Sequence, residues 1–376
     1  MRAARGHCCG CRGGGPPLCL SLWLALALVL CFAGSASAFR PGSVATTGSL
    51  RLQAAAAAAG ARGADLSSPS AARKELFFEI VNSGLAERFE ASALERIYQF
   101  CATTRGLETL PAAVTANTNQ HDPCEEYVPG LTAKPWWDAS SPDFQAWLPA
   151  LVEATPIIRR ELEAAAASAN NGDDALFRGD SNFQKTMGTG WTAIRLQRLG
   201  EWNQENTARF PLTTRLLQGF SIPLAMRGVM FARQAPQTGV AAHSDGRNFI
   251  LTAHLGLSVP QGCTITVGGD TRSWQQDGAI VFDTSFTHST DNPTDQERFV
   301  LILDFWHPEL TATERDALAF VYDARNKFES GRAQEIDCAW VRDKKPLTTK
   351  EYLDSKRGLG QRVADFFSDG GLVKYR

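Results

Sequence analysis

Residues 249–282 read FILTAHLGLSVPQGCTITVGGDTRSWQQDGAIVF, and this stretch decides the fold class of the chain. It contains short segments rich in Val, Ile, Phe and Thr at 249–259, 263–267, 271–275 and 278–282. The pairs Gly268-Gly269 and Asp277-Gly278 lie at the borders between neighbouring segments and are hairpin signals. Short strands joined by such turns predict an antiparallel sandwich or jelly roll.

The rest of the chain places this β region between helical regions. Further strand-like segments occur at 192–199, 228–233 and 298–305, and a helix is predicted between strands at 211–222. Helical spacing of apolar residues recurs in 74–105, 159–167 and 311–330. The sequence therefore predicts a mainly β protein with flanking helices. Its parts are a helical N-terminal part over 74–179, a β domain over 180–310, and a C-terminal helix and tail over 311–376.

The N-terminal residues have the composition of targeting segments. Residues 1–38 combine an arginine-containing start, an apolar stretch over 18–34 and small residues at 35–38, which predicts a cleaved signal peptide. An uncleaved anchor is the alternative; after cleavage no stable membrane span is expected. Residues 39–73 are a low-complexity segment nearly free of acidic residues before Asp65, typical of a transit peptide or a linker. Because residues 36–39 resemble the junction of two-part plastid signals in algae with secondary plastids, we favour a plastid over the ER lumen or secretion.

Composition narrows the class of partner. The chain carries a formal net charge of -2, so it has no electrostatic footprint for nucleic acid and no polybasic surface for a membrane. A small molecule or a peptide is the expected partner. The cysteines beyond residue 38 are scattered and lack C-x-x-C spacing, so neither a zinc cluster nor a disulfide framework is indicated. Free thiols are favoured over a bridge between Cys101 and Cys124.

One constellation points to chemistry at a metal ion. His243 and Asp245 form an H-x-D tripeptide, and His288 follows 43 residues after Asp245, behind a predicted strand. In a strand, residues i and i+2 point to the same side, so the imidazole and the carboxylate can converge on one ion. Two imidazoles and one carboxylate on one face of Fe(II) leave three positions open for a co-substrate and O2. The tripeptide alone is a weak signal, and a surface loop is the alternative that the polar residues 246–248 support.

Three further residues are candidates for binding the co-substrate. Arg298 opens an apolar strand and needs a partner there. Its planar fork suits a carboxylate, either the distal carboxylate of 2-oxoglutarate or an acidic side chain such as Glu297. His254 lies in the apolar segment 249–257, where it is either a hydrogen-bonded core residue or a contact of the co-substrate, and Thr252 shares its face of the strand.

Residues from about 228 to 310 resemble the aspartyl/asparaginyl β-hydroxylase family. The segments that carry the resemblance are HSD at 243–245, AHLGLSVP at 253–260, QGCTI at 261–265, Trp274, FDTSFTH at 282–288, RF at 298–299 and DFWHPEL at 304–310. The resemblance implies a double-stranded β-helix fold, cupin-like, and Fe(II)/2-oxoglutarate-dependent hydroxylation with O2. It also implies that His243 and His288 are iron ligands, with Arg298 and His254 as contacts of 2-oxoglutarate. His307, within the last segment, is interpreted as structural.

The chain departs from the animal members of this family at three positions. They have glycine in place of Asp245, whereas bacterial members commonly have aspartate. The animal members also have an arginine that contacts the co-substrate in place of Thr252, and a serine in place of Ala232. These differences leave a non-catalytic cupin-like binding barrel as the alternative function, and a zinc hydrolase with the same three ligands as a weaker one. The hydroxylated substrate could be a protein side chain, a lipid acyl chain or a free metabolite.

Overall fold

The computed structural model describes residues 68–106, 124–168, 176–177, 187–188 and 190–356. The predicted signal peptide and most of the predicted low-complexity segment lie outside the described residues. Within them, the strands are β1 (Trp136–Trp137), β2 (Trp191–Arg198), β3 (Glu201–Trp202), β4 (Leu224–Gln234), β5 (Thr238–His243), β6 (Ile250–Ser258), β7 (Thr264–Val267), β8 (Asp270–Ser273), β9 (Ala279–Asp283), β10 (His288–Asn292) and β11 (Arg298–Trp306).

These strands form two antiparallel sheets. The larger sheet has the order β1-β9-β6-β11-β4-β2-β3, and the smaller has the order β5-β10-β7-β8. From β4 to β11 the chain passes repeatedly between the sheets, with β4, β6, β9 and β11 in the larger and the other four in the smaller. Apolar side chains of both sheets, such as Ile302 and Ile265, share one core. This arrangement is a double-stranded β-helix, so the predicted jelly roll is confirmed.

The seven predicted strand segments each correspond to an observed strand. The two-residue strands β1 and β3 were not predicted, and among the longer strands neither were β5 and β10. The sequences of these two strands are TGVAAH and HSTDN, which contain few of the β-branched and aromatic residues typical of buried strands. Most of their side chains are exposed or half-buried. The composition of such polar strands does not reveal them. Both nevertheless carry a candidate metal ligand, because β5 ends at His243 and β10 begins at His288.

Helices cover the outer face of the larger sheet. They are α3 (Leu148–Glu153), α4 (Thr155–Ser168), α5 (Gln204–Arg209) and α6 (Pro211–Gly219), of which α6 is the helix predicted at 211–222. Ile158 and Leu162 lie four residues apart on one face of α4 and pack against apolar residues of β6 and β11. Glu161 of α4 accepts hydrogen bonds from the backbone N–H groups of Leu212 and Thr213, at 2.7 Å each. This carboxylate satisfies two donors at the N-terminus of α6 and fixes the two helices together.

A second group of helices packs at one end of the barrel. It comprises α1 (Pro69–Arg88), α2 (Glu95–Arg105), α7 (Ala312–Glu329) and α8 (Ala339–Arg342). Thr311 and Glu314 form a capping box that begins α7. Residues beyond α7, expected to be a charged tail, instead bury Ile336, Cys338 and Tyr352 against this group. The many charged residues of this segment indicated an exposed tail, although these three side chains are buried.

No helix in the described part of the chain is both long and apolar enough to cross a membrane. Cys101, Cys124, Cys263 and Cys338 are buried and form no disulfide, as the sequence predicted. Burial raises the pKa of Cys101 to about 12, so this thiol stays protonated.

Candidate metal centre

The two candidate imidazole ligands face each other across the smaller sheet. His243 of β5 and His288 of β10 are register partners, with ring centroids 4.3 Å apart. Nδ1 of His243 lies 2.8 Å from the carbonyl oxygen of Ala241, and Nδ1 of His288 lies 2.9 Å from that of Phe286. A hydrogen bond to a carbonyl requires Nδ1–H, so the lone pair of each ring is on Nε2. The buried Nε2 of His243 has no hydrogen-bond partner among the described residues, as expected of an atom that ligates an ion.

Asp245 reaches the same point from a loop. Its backbone N–H donates to the carbonyl of Thr284 at 2.9 Å, and the hydroxyl of Ser244 donates to the carbonyl of Ser285 at 2.6 Å. The ligand atoms of His243, Asp245 and His288 all lie within 4.8 Å of one another, close enough to surround one ion. The strand-alternation argument for this convergence was wrong, because β5 ends at His243 and the turn at 283–287 holds the loop in place.

The charges around these groups favour their ligand forms. Burial alone would raise the pKa of Asp245, but the charge of Arg227 and its hydrogen bond outweigh burial and hold that pKa well below its usual range. Burial lowers the pKa of His288, against the opposing charge of Asp245. The carboxylate is therefore ionised and the imidazole is neutral near pH 7, which are the states that bind a metal.

Arg227, which the sequence analysis did not single out, has the largest polar network of the site. Its guanidinium forms an ion pair with Asp245 and lies 2.9 Å from Oδ1 of Asp304. It also contacts the hydroxyls of Thr252 and Thr284 at 3.3 and 3.2 Å. The signal for this residue was available: an arginine in the apolar strand LAMRGVMFARQ needs a partner for the same reason as Arg298 does.

Arg298 lies deeper in the barrel and is 1% exposed. One Nη atom donates to Oε1 of Gln234, and its guanidinium carbon is 4.5 Å from the ring centroid of Trp274. Its Nε and Nη1 have no hydrogen-bond partner among the described residues. Glu297, the acidic partner considered from the sequence, forms its ion pair with Arg233 instead. A buried guanidinium without a carboxylate is costly, and burial lowers the pKa of Arg298 to about 10.

The other two co-substrate candidates lie in different parts of the site. Nδ1 of His254 accepts a hydrogen bond from Nε1 of Trp274 at 3.3 Å, and the two rings are nearly parallel. His254 therefore lies beside Arg298, and burial with the charge of Arg298 holds its pKa well below the ordinary value. Thr252 instead donates its hydroxyl to Oδ1 of Asp304 at 2.6 Å, next to Arg227.

His307 has the contacts of a structural residue. Its Nε2 lies 3.1 Å from the carbonyl oxygen of Thr132, and its Nδ1 accepts from the backbone N–H of Glu309 at 3.2 Å. Because both ring nitrogens are used, His307 offers no lone pair to a metal. This geometry supports the interpretation made from the sequence.

A polar cleft of about 650 Å³ opens beside Asp245. It lies between the loop after β5 and the helices α1, α2 and α7, and its lining includes Lys74, Thr103, Arg247 and Arg325. Glu126 holds this wall together, because its carboxylate accepts from Arg247, Arg325 and the hydroxyl of Tyr322. The backbone N–H of Glu126 also donates to the carbonyl of Gly246 at 3.1 Å, one residue from Asp245. Asp245 thus belongs both to the candidate metal centre and to the lining of this cleft.

With this geometry in place, the chain can be compared with known proteins. The sequence profile of a family described as Aspartyl/Asparaginyl beta-hydroxylase matches residues 153–308. The resemblance to the aspartyl/asparaginyl β-hydroxylase family is confirmed. The matched residues include the His243, Asp245 and His288 cluster, the half-buried Arg227 and the buried Arg298, so the site lies inside the part shared with the hydroxylase family.

Individual relatives of the hydroxylase family show how far the similarity extends. The Aspartyl/asparaginyl beta-hydroxylase of Mus musculus is 30% identical over 194 residues, which are 51% of this chain and 26% of that protein. The Aspartate beta-hydroxylase domain-containing protein 2 of Rattus norvegicus is 25% identical over 258 residues, 63% of this chain and 68% of that one. The chain thus spans about a quarter of the length of the mouse enzyme. Among solved structures, a 2OG-Fe(II) oxygenase family oxidoreductase from Burkholderia pseudomallei has 15% identity and a TM-score of 0.28, covering 42% of this chain and 81% of that chain.

Proposed function

We propose that the chain is an Fe(II)/2-oxoglutarate-dependent hydroxylase, which couples decarboxylation of 2-oxoglutarate to hydroxylation of a second substrate. The observation that carries the proposal is the pairing of two incomplete sites in one barrel. The imidazoles of His243 and His288 and the carboxylate of Asp245 lie together, and the buried Nε2 of His243 has no hydrogen-bond partner in the described part of the chain. In the same barrel Arg298 is buried, and no carboxylate of the described residues contacts its guanidinium. A divalent metal and a carboxylate-bearing co-substrate would complete both.

Each residue has a role in this proposal. His243, Asp245 and His288 would hold Fe(II), which when bound supplies the activation of O2 that these side chains cannot perform. Arg298 would bind the distal carboxylate of 2-oxoglutarate, and Trp274 with the neutral His254 would form the wall beside it. The closed apolar core around β7 and β11 keeps water from this guanidinium, which strengthens its attraction for an anion.

The cleft at Asp245 would admit the substrate to be hydroxylated. Its lining is charged or hydroxyl-bearing, with lysine, arginine, glutamate and threonine side chains. An acyl chain gains little from such a surface, since apolar contact is its main source of binding energy. A polar side chain of a protein or a polar small molecule is therefore favoured over a lipid.

The test is a succinate assay on the full chain. Protein purified without oxygen would be loaded with Fe(II), supplied with 2-oxoglutarate and O2, and screened against peptides and small polar acids with succinate measured by NMR. Succinate that requires Fe(II) and is lost in Arg298→Met supports the proposal. Absence of 2-oxoglutarate binding by the Mn(II)-loaded protein would overturn it in favour of a non-catalytic barrel, and substrate turnover without O2 would indicate a hydrolase.

We also propose that the N-terminal residues direct the chain into the secretory pathway and onward to a plastid. The support is the composition of residues 1–38 and 39–73. A fluorescent protein fused after residue 73, expressed in an alga with secondary plastids, tests it. Fluorescence confined to the ER lumen or the medium would contradict the plastid step.

A further inference from the structure

Arg227 owes its direction to a bulge in β4. The pairing of β4 with β11 shifts register between Leu303 and Phe305. The pairing of β4 with β2, on its other side, shifts register between Arg195 and Gln197. Gly228 at this point has φ +71, and a Cβ there would collide with the backbone carbonyl of Gln197. Only glycine fits both the conformation and the space. A bulge re-aims the neighbouring side chain, and here it brings Arg227 to the metal centre.

The guanidinium of Arg227 meets side chains from four different segments there. It contacts Asp245 after β5, Thr252 on β6, Thr284 after β9 and Asp304 on β11. Its buried Nε still has no hydrogen-bond partner among the described residues, and neither has Oδ2 of Asp304. The network therefore fixes the orientation of the guanidinium and leaves one donor for a ligand.

The hydroxyl of Thr252, in contrast, is already used as a hydrogen-bond donor. Thr252 and Asp304 are direct partners in the pairing of β6 with β11, and the Thr252 hydroxyl already donates to Oδ1 of Asp304. The same Oδ1 accepts from Arg227. An arginine at position 252 would face this carboxylate directly. Arg227 reaches the same carboxylate from β4, on the other side of β11, and so lies where a longer side chain at 252 would lie.

The charge balance of the site favours a dianion. Within the ion-pair network of Arg227, and counting Arg298, the two guanidinium charges equal the carboxylate charges of Asp245 and Asp304. Asp283, which is also buried, accepts instead from the backbone N–H of Ser285. A divalent metal adds two positive charges to this buried region, and a dicarboxylate supplies two negative ones. With one guanidinium at the metal centre and the other deeper in the barrel, the two carboxylates would each have a cationic partner.

We propose that Arg227 is a second co-substrate-binding residue, which pairs with the carboxylate of 2-oxoglutarate nearest the metal and takes the role that the sequence assigned to Thr252. This inference rests on the proposed function. Its competitor is a purely structural role, in which Arg227 only holds the metal ligand Asp245 in position. The two differ in whether 2-oxoglutarate affinity depends on Arg227 once the metal is saturating.

The experiment compares four forms of the full chain: wild type, Arg227→Met, Arg227→Met/Thr252→Arg, and Arg233→Met. Arg233 is the matched control, because it lies on the same strand and forms its ion pair with Glu297. Calorimetry gives the Kd for Mn(II), and then the Kd for 2-oxoglutarate at saturating Mn(II). Arg227→Lys serves if the methionine variant does not fold, since it keeps the charge and loses the fork.

At saturating Mn(II), Arg227→Met is expected to weaken 2-oxoglutarate binding by about 10- to 100-fold, the range of a charge-assisted hydrogen bond. The Thr252→Arg second change is expected to restore the Kd to within about threefold of wild type, and Arg233→Met should not change it. An unchanged Kd in Arg227→Met, with only Mn(II) binding weakened, would overturn the inference and leave the proposed function intact. Failure of the wild type to bind 2-oxoglutarate would overturn both.

Discussion

Replacing Arg298 by methionine is expected to stabilise the Mn(II)-loaded protein without 2-oxoglutarate and to destabilise it, relative to wild type, with 2-oxoglutarate. The reason is that the guanidinium is buried without a carboxylate, so folding removes a charge from water with only partial compensation. Methionine has a similar length and no charge, so it fills the same space without this cost.

The magnitude follows from the pKa of Arg298. The fall of this pKa from the ordinary arginine value to about 10 corresponds to about 3 kcal/mol of unfavourable burial. In the wild type, the contacts of Arg298 with Trp274 and Gln234 offset about 2 kcal/mol of this cost, and the variant loses them. The variant should thus gain about 1 kcal/mol in free energy of unfolding. At a 2-oxoglutarate concentration 100 times its Kd the wild type gains about 2.7 kcal/mol, and the variant gains little.

Urea denaturation of both proteins, with and without 2-oxoglutarate, measures this crossover in stability. Arg233→Met is the control, because it removes an arginine that has a carboxylate partner and should leave the effect of 2-oxoglutarate unchanged. An Arg298→Met protein that 2-oxoglutarate stabilises as much as wild type would refute the assignment of the anion to Arg298. A variant less stable than wild type in the absence of 2-oxoglutarate would refute the burial argument.

Three further predictions concern the metal, the bulge and the cleft wall. His243→Ala should weaken Mn(II) binding by more than about 100-fold in calorimetry, because it removes a ligand outright, and stoichiometric metal in the purified variant would contradict this. Gly228→Ala should lower the free energy of unfolding in urea by at least about 2 kcal/mol through its φ of +71 and its collision with Gln197; a change under about 0.5 kcal/mol would contradict it. Glu126→Gln should cost about 1–2 kcal/mol at pH 7, since it leaves two arginines without their carboxylate. Burial alone would raise the pKa of Glu126, but the charges of Arg325 and Arg247 outweigh burial and lower it. The difference between the two proteins should therefore be full above the ordinary glutamate pKa of about 4.3 and be lost as the pH falls through the lowered pKa of Glu126. A difference constant with pH would contradict the assignment.

Most of the predicted strands are apolar and buried. The exposed strand β8 was predicted from its place after the Gly268-Gly269 turn, whereas the polar strands β5 and β10 were not predicted. Strands β6 and β11 are almost continuously buried, so their composition reports their structure. Strands β5 and β10 are held by pairing with their neighbours and offer few apolar side chains, so local composition does not reveal them. The fold class could be predicted because the buried strands define it.

The candidate site was predictable in its residue types and less so in its geometry. The H-x-D tripeptide and His288 do meet, but through a loop held by the turn at 283–287 and not through strand alternation. The apolar strand around Arg227 indicates that this arginine needs a partner, but the partners Asp245 and Asp304 come from distant segments and could not be identified from the sequence. Register shifts such as those of β4 at Gly228 have no signal in local spacing.

The register pair of His243 and His288 has a consequence for folding. An ion shared by two facing residues of β5 and β10 would act as a cross-link between the strands with the least apolar area to hold them. Opening of this pair would be local, because the core on the other sheet does not depend on it. Metal occupancy would then be visible as slower hydrogen exchange of the β5 and β10 amides, while exchange in β6 and β11 stays at its already slow rate.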